Sequence, residues 1–192
     1  MVGLLDYGAG NLFSVEQALR AVGAAPKRVA APSDLSGLDR LVFPGVGHAA
    51  SARERLEATR LWNALPALEI PVLGICLGMQ LQAEHCTEGD VHGLALQAGT
   101  VDAFAQTPRA LHIGWNSVKH NGTGLFAGLA QDTDFYFVHG YRLPVKPETV
   151  GIAAYGKPFS AAIQNGLWYG VQFHPEKSGA AGLQLLQNFL SC

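Results

Sequence analysis

The sequence is poor in cysteine, in charge and in long hydrophobic runs. Three cysteines among 192 residues are too few, and of the wrong parity, for a disulfide framework, which favours a reducing compartment. Charged residues make up 15% of the chain and the formal net charge is −2, so neither nucleic acid nor an anionic membrane is indicated as a partner. No apolar run approaches the roughly 20 residues that span a bilayer, and no basic region precedes the first apolar residues as in a secretory signal. We therefore expect a cytoplasmic protein.

What is present is typical of a globular α/β protein. Hydrophobic residues make up 48% of the chain, and 23 glycines indicate many turns. A chain of this length is expected to form one domain, residues 1–192, that buries about 70% of its unfolded surface. Strands alternate with helices in the first half, which predicts a single open, mostly parallel sheet with helices on both faces.

Hydrophobic periodicity places the elements of the first half. The predicted strands are Val2–Leu5, an edge strand at Pro26–Ala30, Leu41–Phe43 and Ile70–Ile75. Three helices are predicted: one starts at Leu12 and is closed by Gly23, one covers about Ala50–Leu65, and one runs from Met79 to Glu84. Because ligands gather at the carboxyl ends of parallel strands, we expect Asp6–Asn11, Pro44–His48 and Cys76 to meet at one edge of the sheet.

The second half changes to short β-like runs, which predict antiparallel strands. These runs are Gly99–Phe104, Leu111–Val118, Asp134–Tyr141, Val150–Tyr155, Phe159–Gln164 and Leu167–Phe173. Asn165-Gly166 between the last two is a strong hairpin signal. A final helix is predicted from Ser178 as N-cap to Leu190, with Leu183, Leu186 and Leu190 on its inner face.

Cys76 is the first candidate for chemistry. It stands between Gly74 and Gly78 at the end of an apolar strand and before good helix formers, the pattern of a nucleophile elbow with cysteine in the central place. A thiol at a helix N-terminus is favoured as the thiolate. A buried structural cysteine is the alternative, because free cysteines are usually buried.

His174 is the best candidate for the base that a thiolate enzyme needs. Of the seven histidines, only this one lies in an arrangement with a mechanism, His174-Pro175-Glu176 after an apolar strand. Residues i and i+2 of an extended segment point to one side, so Glu176 can orient the imidazole. The alternative is a strand-end histidine beside a solvent-facing glutamate, and the cysteine elbow favours the catalytic interpretation.

Acyl transfer also needs an oxyanion hole. The Leu77 N–H is the first candidate donor, and the loop at Gly45, Val46 and Gly47 can supply a second because glycine lets a peptide N–H turn inward.

Two other segments lack the spacing of a ligand site. Asp6–Asn11 lacks the spacing of a nucleotide-binding loop. His85, Cys86 and His92 lack paired metal-ligand spacing, so we interpret them as a solvated loop. We expect no metal and no cofactor.

Two motifs together carry a family resemblance. Gly74–Gln80 (GICLGMQ) with Gln172–Glu176 (QFHPE) resembles the class I, or triad, glutamine amidotransferases. Further segments are similar to the glutaminase subunits of imidazole glycerol phosphate synthases: Asp6–Asn11 (DYGAGN), Pro44–His48 (PGVGH), Ile113–Asn116 (IGWN), Tyr136–Tyr141 (YFVHGY) and His174–Ser178 (HPEKS). The similarity runs in the same order from Asp6 to the last helix. It implies the flavodoxin-like fold of that class.

The resemblance implies hydrolysis of glutamine to glutamate and ammonia. Cys76 would form a glutamyl thioester, His174 would move the protons and Glu176 would orient His174. The oxyanion would be held by Leu77 N–H and, after a flip of the Gly45-Val46 peptide, by Val46 N–H. The positions that match substrate contacts are Gly47, Gln80, Glu88, Gly140 and Tyr141. Two positions depart from the family: Gly140 replaces a usual serine or threonine, and Arg142 a common aromatic residue.

The resemblance also implies a partner. It is a cyclase subunit, a (β/α)₈ barrel, which would form a heterodimer with this chain and use its ammonia to make imidazole glycerol phosphate and AICAR in histidine biosynthesis. The positions that match the docking face are Asn11, Trp115, Tyr136 and Lys177. Each has a structural alternative: a core position for Trp115 and Tyr136, an N-cap for Asn11 and a solvated charge for Lys177.

Three other functions stay open at this point. The chain can serve another synthase, of the anthranilate, purine or vitamin pathways. It can be a non-catalytic binding module of the same fold, against which the intact Cys76, His174 and Glu176 speak. It can also be a cysteine peptidase acting on γ-glutamyl chains.

Overall fold

The computed structural model describes residues 1–104 and 111–192. The strands in these ranges are β1 Val2–Leu5, β2 Lys27–Val29, β3 Arg40–Gly45, β4 Val72–Cys76, β5 Ala83–Cys86, β6 Val91–His92, β7 Gln97–Ala103, β8 His112–His120, β9 Thr133–His139, β10 Tyr141–Arg142, β11 Thr149–Tyr155, β12 Lys157–Asn165 and β13 Trp168–Val171. The α-helices are α1 Leu12–Ala21, α2 Ala49–Ala58, α3 Leu61–Ala64, α4 Leu77–Gln80 and α5 Gly179–Ser191. Short 3₁₀ turns lie at Pro32–Leu35, Leu65–Ala67, Gly124–Phe126 and Pro175–Lys177. None of the helices described is long and apolar enough to cross a membrane.

One nine-stranded sheet organises the molecule, in the order β2-β1-β3-β4-β13-β12-β11-β8-β9. The pairings from β2 to β13 are parallel, and those from β13 to β9 are antiparallel. Helices α1 and α5 pack on one face, with Leu19 and Leu186 in their core, and α2 packs on the other face through Leu56. The predicted α/β class, parallel core and antiparallel second half are confirmed.

A second, four-stranded sheet has the order β10-β7-β5-β6. Sequence patterns did not predict this sheet, although β7 overlaps the predicted run Gly99–Phe104, because β5, β6 and β10 have only two to four residues each. It includes His85 and His92, which pair across β5 and β6, so their interpretation as a loop was wrong. No metal-binding cluster of histidine, cysteine and carboxylate side chains occurs within residues 1–104 and 111–192.

Two predicted helices are shorter in the structure. The helix expected over Ala50–Leu65 breaks between α2 and α3, where Arg60 adopts φ +61° and the Thr59 hydroxyl bonds the Arg55 and Leu56 carbonyls. The helix expected to reach Glu84 ends at Gln80. Backbone carbonyls beyond it accept hydrogen bonds from residues 93–97, and this tertiary pairing overrides local helix propensity.

The last helix was predicted well in extent, and its predicted inner face packs on the core. Its buried side chains are Leu185, Leu186 and Phe189, whereas Leu183 and Leu190 are only partly buried. The apolar stripe is wider than a single i, i+3, i+4 series, and it includes the closely packed Gly182. A Cβ at Gly182 would lie 1.9 Å from the Pro175 carbonyl oxygen.

Candidate active site

Cys76 ends β4 in a strained turn at the carboxyl edge of the parallel strands. Its φ is +53° and its ψ is −108°, a conformation that side-chain-bearing residues rarely adopt. The flanking glycines allow it, because a Cβ at Gly74 would lie 2.3 Å from the Gln82 side-chain amide, and one at Gly78 would lie 1.9 Å from the Phe43 carbonyl oxygen. The turn therefore has the geometry of a nucleophile elbow.

The helix after Cys76 is a single turn, α4. A four-residue helix adds little to a macrodipole, so the predicted helix-terminus stabilisation of a thiolate is minor here. Any stabilisation of the thiolate must come mainly from a cationic neighbour. His174 is that neighbour.

His174 and Glu176 form a buried pair. Their side chains are 2% and 1% exposed, and the distance from His174 Nδ1 to Glu176 Oε1 is 2.8 Å. The sequence predicted an extended i, i+2 pair, but only His174 is extended, while Pro175–Lys177 form a 3₁₀ turn that Pro175 starts. Donation from Nδ1–H to the carboxylate leaves Nε2 as the nitrogen that can exchange a proton.

The pKa of His174 is governed by opposing effects. Burial lowers it, but the neighbouring Cys76 and Glu176 outweigh burial and raise the pKa to about 9. Cys76 and His174 line the same pocket, yet His174 Nε2 has no hydrogen-bond partner among the described residues. We interpret the two groups as adjacent rather than bonded, as is common in free enzymes.

The backbone of His174 is anchored to strand β9. Its N–H donates to the Tyr136 carbonyl at 2.9 Å, and its carbonyl accepts from the Ser178 hydroxyl at 2.7 Å. The same hydroxyl accepts from the Tyr136 N–H at 3.0 Å. Ser178 precedes α5 as predicted, but its side chain makes no capping bond; it joins the histidine to β9 instead.

Cys76 and His174 line a pocket of about 180 Å³. Most of the residues that the sequence suggested for oxyanion and substrate contacts also line it: Val46, Gly47, Leu77, Gln80, Glu88, Gly140 and Tyr141. Gly45 does not line the pocket. It pairs with Cys76 between β3 and β4, and a Cβ at this position would come 2.8 Å from the Tyr7 hydroxyl. The pocket therefore gathers residues from both sheets around the thiol.

Two glutamine side chains, Gln80 and Gln172, lie beside the thiol and are hydrogen-bonded to each other. Gln80 donates to the Tyr141 carbonyl at 3.1 Å and to Gln172 Oε1 at 3.0 Å, and Gln172 Nε2 lies 3.7 Å from the Cys76 sulfur. Sequence reasoning quoted Gln172 within its motif but gave it no role. The available signal in the sequence was an amide directly after an apolar strand; the structure buries this amide fully, and buried polar groups need partners.

Glu88 has a structural contact in addition to its place in the pocket. Its Oε2 accepts from the Ala49 N–H at 2.8 Å, at the start of α2. This bond holds the tip of the small sheet, which carries Glu88, against the loop that contains Val46 and Gly47. One carboxylate oxygen is thereby used by the fold, and the other is left for a ligand.

The four residues matched to a docking face lie outside the pocket. Trp115 is 57% exposed, so the core alternative for it was wrong. It meets Tyr136 edge to face with ring centroids 5.9 Å apart, and the Lys177 ammonium lies 5.8 Å from the centre of the Tyr136 ring. Asn11 caps α1 by accepting from the Ser14 N–H at 3.3 Å.

Comparison with known proteins identifies the family. The family model for class I glutamine amidotransferases matches residues 3–192. The chain belongs to that family. As a member, it is a glutamine-hydrolysing amidotransferase, which confirms the class predicted from the motifs.

The amidotransferase has relatives that share nearly its whole length. It is 45% identical to the imidazole glycerol phosphate synthase subunit HisH of Xanthomonas axonopodis pv. citri, over 98% of this chain and 96% of that protein. Its identity to the subunit of the same name from Yersinia pseudotuberculosis is 43%, over 98% of both chains. Among solved structures, PurLQS of Thermotoga maritima superposes with a TM-score of 0.74 at 19% identity, over 99% of this chain and 97% of that one. A structure described as a glutamine amidotransferase gives 0.77 at 19% identity, with the same coverage.

The pKa of His174 predicts how the stability of the amidotransferase depends on pH. The imidazole ordinarily titrates near 6.5 and in the folded chain near 9, so between these values the folded state holds a proton that the unfolded state has released. The free energy of unfolding contributed by His174 is therefore fully present below about pH 6.5 and is lost as pH rises through 9. Urea unfolding across this range should show the decline in the wild type and a flatter profile in His174→Gln. Equal slopes in both proteins would contradict the assignment.

Proposed function

We propose that this amidotransferase is the glutaminase subunit of an imidazole glycerol phosphate synthase, with Cys76, His174 and Glu176 as its catalytic triad. The observation that carries the proposal is the shared pocket of Cys76 and His174, with Glu176 bonded to the far side of the imidazole. The choice among synthases is supported by relatives that are named as imidazole glycerol phosphate synthase subunits and share 43–45% identity over nearly the whole chain.

The first half of the reaction releases ammonia. The Cys76 thiolate attacks the carboxamide carbon of glutamine. The resulting oxyanion is held by the Leu77 N–H and, after a flip of the Gly45-Val46 peptide, by the Val46 N–H. His174, already protonated, gives its Nε2 proton to the amide nitrogen. The carbon–nitrogen bond then breaks, ammonia leaves and the glutamyl thioester remains.

The second half regenerates the thiol site. Neutral His174 takes a proton from water, the hydroxide attacks the thioester carbonyl, and the carbon–sulfur bond breaks to give glutamate and the Cys76 thiolate. Glu176 keeps the imidazole in the Nδ1–H tautomer and stabilises its charged form throughout. Glu88 is suited to the α-ammonium group of glutamine through its free carboxylate oxygen.

A partner that receives the ammonia would dock on the aromatic cluster of Trp115, Tyr136 and Lys177. Tyr136 and Val138 lie two residues apart on the same face of β9, and Val138 lines the pocket. The cluster is therefore about 7 Å of strand from the site where ammonia forms. We infer that the partner is a cyclase subunit with a (β/α)₈ barrel, and that the two form a heterodimer.

Trp115→Ala should weaken the complex with the cyclase. An exposed tryptophan at the centre of an interface is a typical hot spot, so we expect Kd to rise about 30-fold, equivalent to about 2 kcal/mol. Leu167→Ala is the matched control, because Leu167 is 43% exposed but lies in the β12–β13 turn at the opposite edge of the sheet. Surface plasmon resonance with immobilised cyclase measures both. Similar losses of affinity in the two variants, or no loss in either, would show that the cluster is not part of the interface.

The decisive experiment is a glutaminase assay with and without the cyclase and its substrate. We expect little turnover by the isolated chain and strong stimulation by the loaded cyclase. Full turnover alone would argue against control by a partner. Stimulation by an anthranilate, purine or vitamin synthase subunit instead would assign another pathway, and failure of Cys76 to react with a glutamine-analogue electrophile would favour a non-catalytic module.

We also infer that residues 1–192 act as one domain in the cytoplasm, with no cofactor. Both sheets contribute to one hydrophobic cluster, which joins Phe43 of β3 to Ala83 of β5. The three cysteines are free, which fits a reducing compartment.

A further inference from the structure

Two buried histidines beside the pocket take no part in the proposed chemistry. His112 begins β8 and His139 ends β9, and the antiparallel register places them opposite each other. They are 4% and 5% exposed. His112 Nδ1 lies 3.0 Å from His139 Nε2, so the two rings share one hydrogen bond.

Their remaining nitrogens extend this bond in both directions. His139 Nδ1 lies 2.7 Å from the Tyr141 carbonyl oxygen, and His112 Nε2 lies 3.3 Å from the Asn116 side-chain nitrogen. The Asn116 amide also donates to the Ala154 carbonyl at 2.9 Å. The chain of bonds therefore runs from Asn116, next to the exposed Trp115, to the wall of the pocket.

The partners assign both tautomers. A carbonyl only accepts, so His139 Nδ1 must carry its hydrogen and Nε2 must accept from His112 Nδ1–H. His112 Nε2 is then an acceptor, which the Asn116 amide satisfies. Burial lowers the pKa of His112 to about 4 and that of His139 to about 3, so both rings are neutral at physiological pH. Two protonated rings could not share this bond, because each would present a hydrogen to the other.

The last hydrogen bond of this series, at the Tyr141 carbonyl, lies at the proposed substrate site. The Tyr141 carbonyl accepts from His139 and also from Gln80, whose second hydrogen bond goes to Gln172 beside the thiol. Gln80, His139, Gly140 and Tyr141 all line the pocket. The orientation of the Tyr141 peptide thus determines both the pocket wall and the position of the Gln80 amide.

We propose that His112 and His139 are positioning residues that lock the Gly140–Tyr141 wall and Gln80 in the arrangement that binds glutamine. This inference rests on the proposed function, since it assumes that the pocket receives glutamine. His112 acts at a distance: it fixes the tautomer of His139, and His139 holds the Tyr141 carbonyl. The packing around His112 fixes the ring plane, because it stacks between Phe137 and Tyr155 with centroids at 4.8 and 4.4 Å.

The test measures glutamine affinity by calorimetry in the Cys76→Ala chain, where no turnover occurs. Adding His112→Phe keeps an aromatic ring between its neighbours but removes the donor to His139. We expect Kd for glutamine to rise about tenfold, the effect of one buried hydrogen bond. His112→Asn places an amide nitrogen where Nδ1 was, so it should restore affinity to within about twofold.

Phe126→Leu is the control for a loss of stability without a lost hydrogen bond. Phe126 is fully buried in the hydrophobic core, and its ring stacks on His120 rather than on His112 or His139. It should lower the urea midpoint of unfolding and leave Kd unchanged. Nitrogen NMR of the wild type should show both histidines neutral with hydrogen on Nδ1.

The outcomes separate the two claims. Equal affinity in His112→Phe and the parent chain, equal weakening by Phe126→Leu, or an Nε2–H tautomer at either ring would overturn the positioning role alone. No glutamine binding by the parent Cys76→Ala chain would contradict the proposed function, and the positioning role with it.

Discussion

Cys76→Ala is expected to abolish glutamine hydrolysis, by at least about 10⁴-fold in kcat, because no other group in the pocket can form the thioester. The fold should persist, since the substitution removes one sulfur from a site that already opens on the pocket. The cyclase should still form its products when ammonia is supplied in solution. Glutamine-dependent and ammonia-dependent synthesis, measured side by side, distinguish loss of the nucleophile from loss of the complex.

Cys86→Ala is the matched control for this substitution. Cys86 is buried, and its thiol lies 3.4 Å from the Gln80 carbonyl oxygen. Burial, with a smaller effect of the Glu88 charge, raises the pKa of Cys86 to about 12, so this thiol is unreactive at physiological pH. The control should keep its activity and should still be labelled by a glutamine-analogue electrophile. Residual glutaminase activity in Cys76→Ala, or labelling at Cys86, would refute the assignment of the nucleophile.

Glu176→Gln is expected to lower kcat by about 10² to 10⁴-fold. The amide oxygen can still accept the Nδ1 hydrogen bond, so the imidazole keeps its place. What is lost is the negative charge that stabilises the protonated ring while Cys76 is a thiolate. Glutamine affinity should change little, because Glu176 does not line the pocket. A fall in kcat without a comparable rise in KM is therefore the expected signature.

The pH profile gives this substitution a second readout. Glu176 is one of the groups that raise the pKa of His174, so its replacement should move the alkaline limb of kcat/KM to lower pH. Glu69→Gln is the control, since Glu69 is exposed and precedes β4 at the opposite edge of the sheet. An unchanged alkaline limb in Glu176→Gln would mean that the carboxylate only holds the ring in place.

Local sequence patterns predicted much of the fold and the centre of the site. The Asn165-Gly166 hairpin, the strand before Cys76 and the flanking glycines depend on turn chemistry and side-chain periodicity, which act over a few residues. The His174–Glu176 contact was also predictable, because a proline between them restricts how the segment can turn. Helix ends were predicted less well: α4 stops at Gln80 although good helix formers follow it.

Local sequence patterns were therefore enough to predict the α/β class, the sharp cysteine turn and the histidine–glutamate pair. Three other contacts follow only from the packed fold: Gln172 reaches the Cys76 sulfur, Ser178 joins His174 to β9, and His112 meets His139. These contacts join residues 27 to 96 positions apart. They depend on strand register and on the meeting of two sheets. No local pattern encodes such a register, because it results from packing the whole core at once.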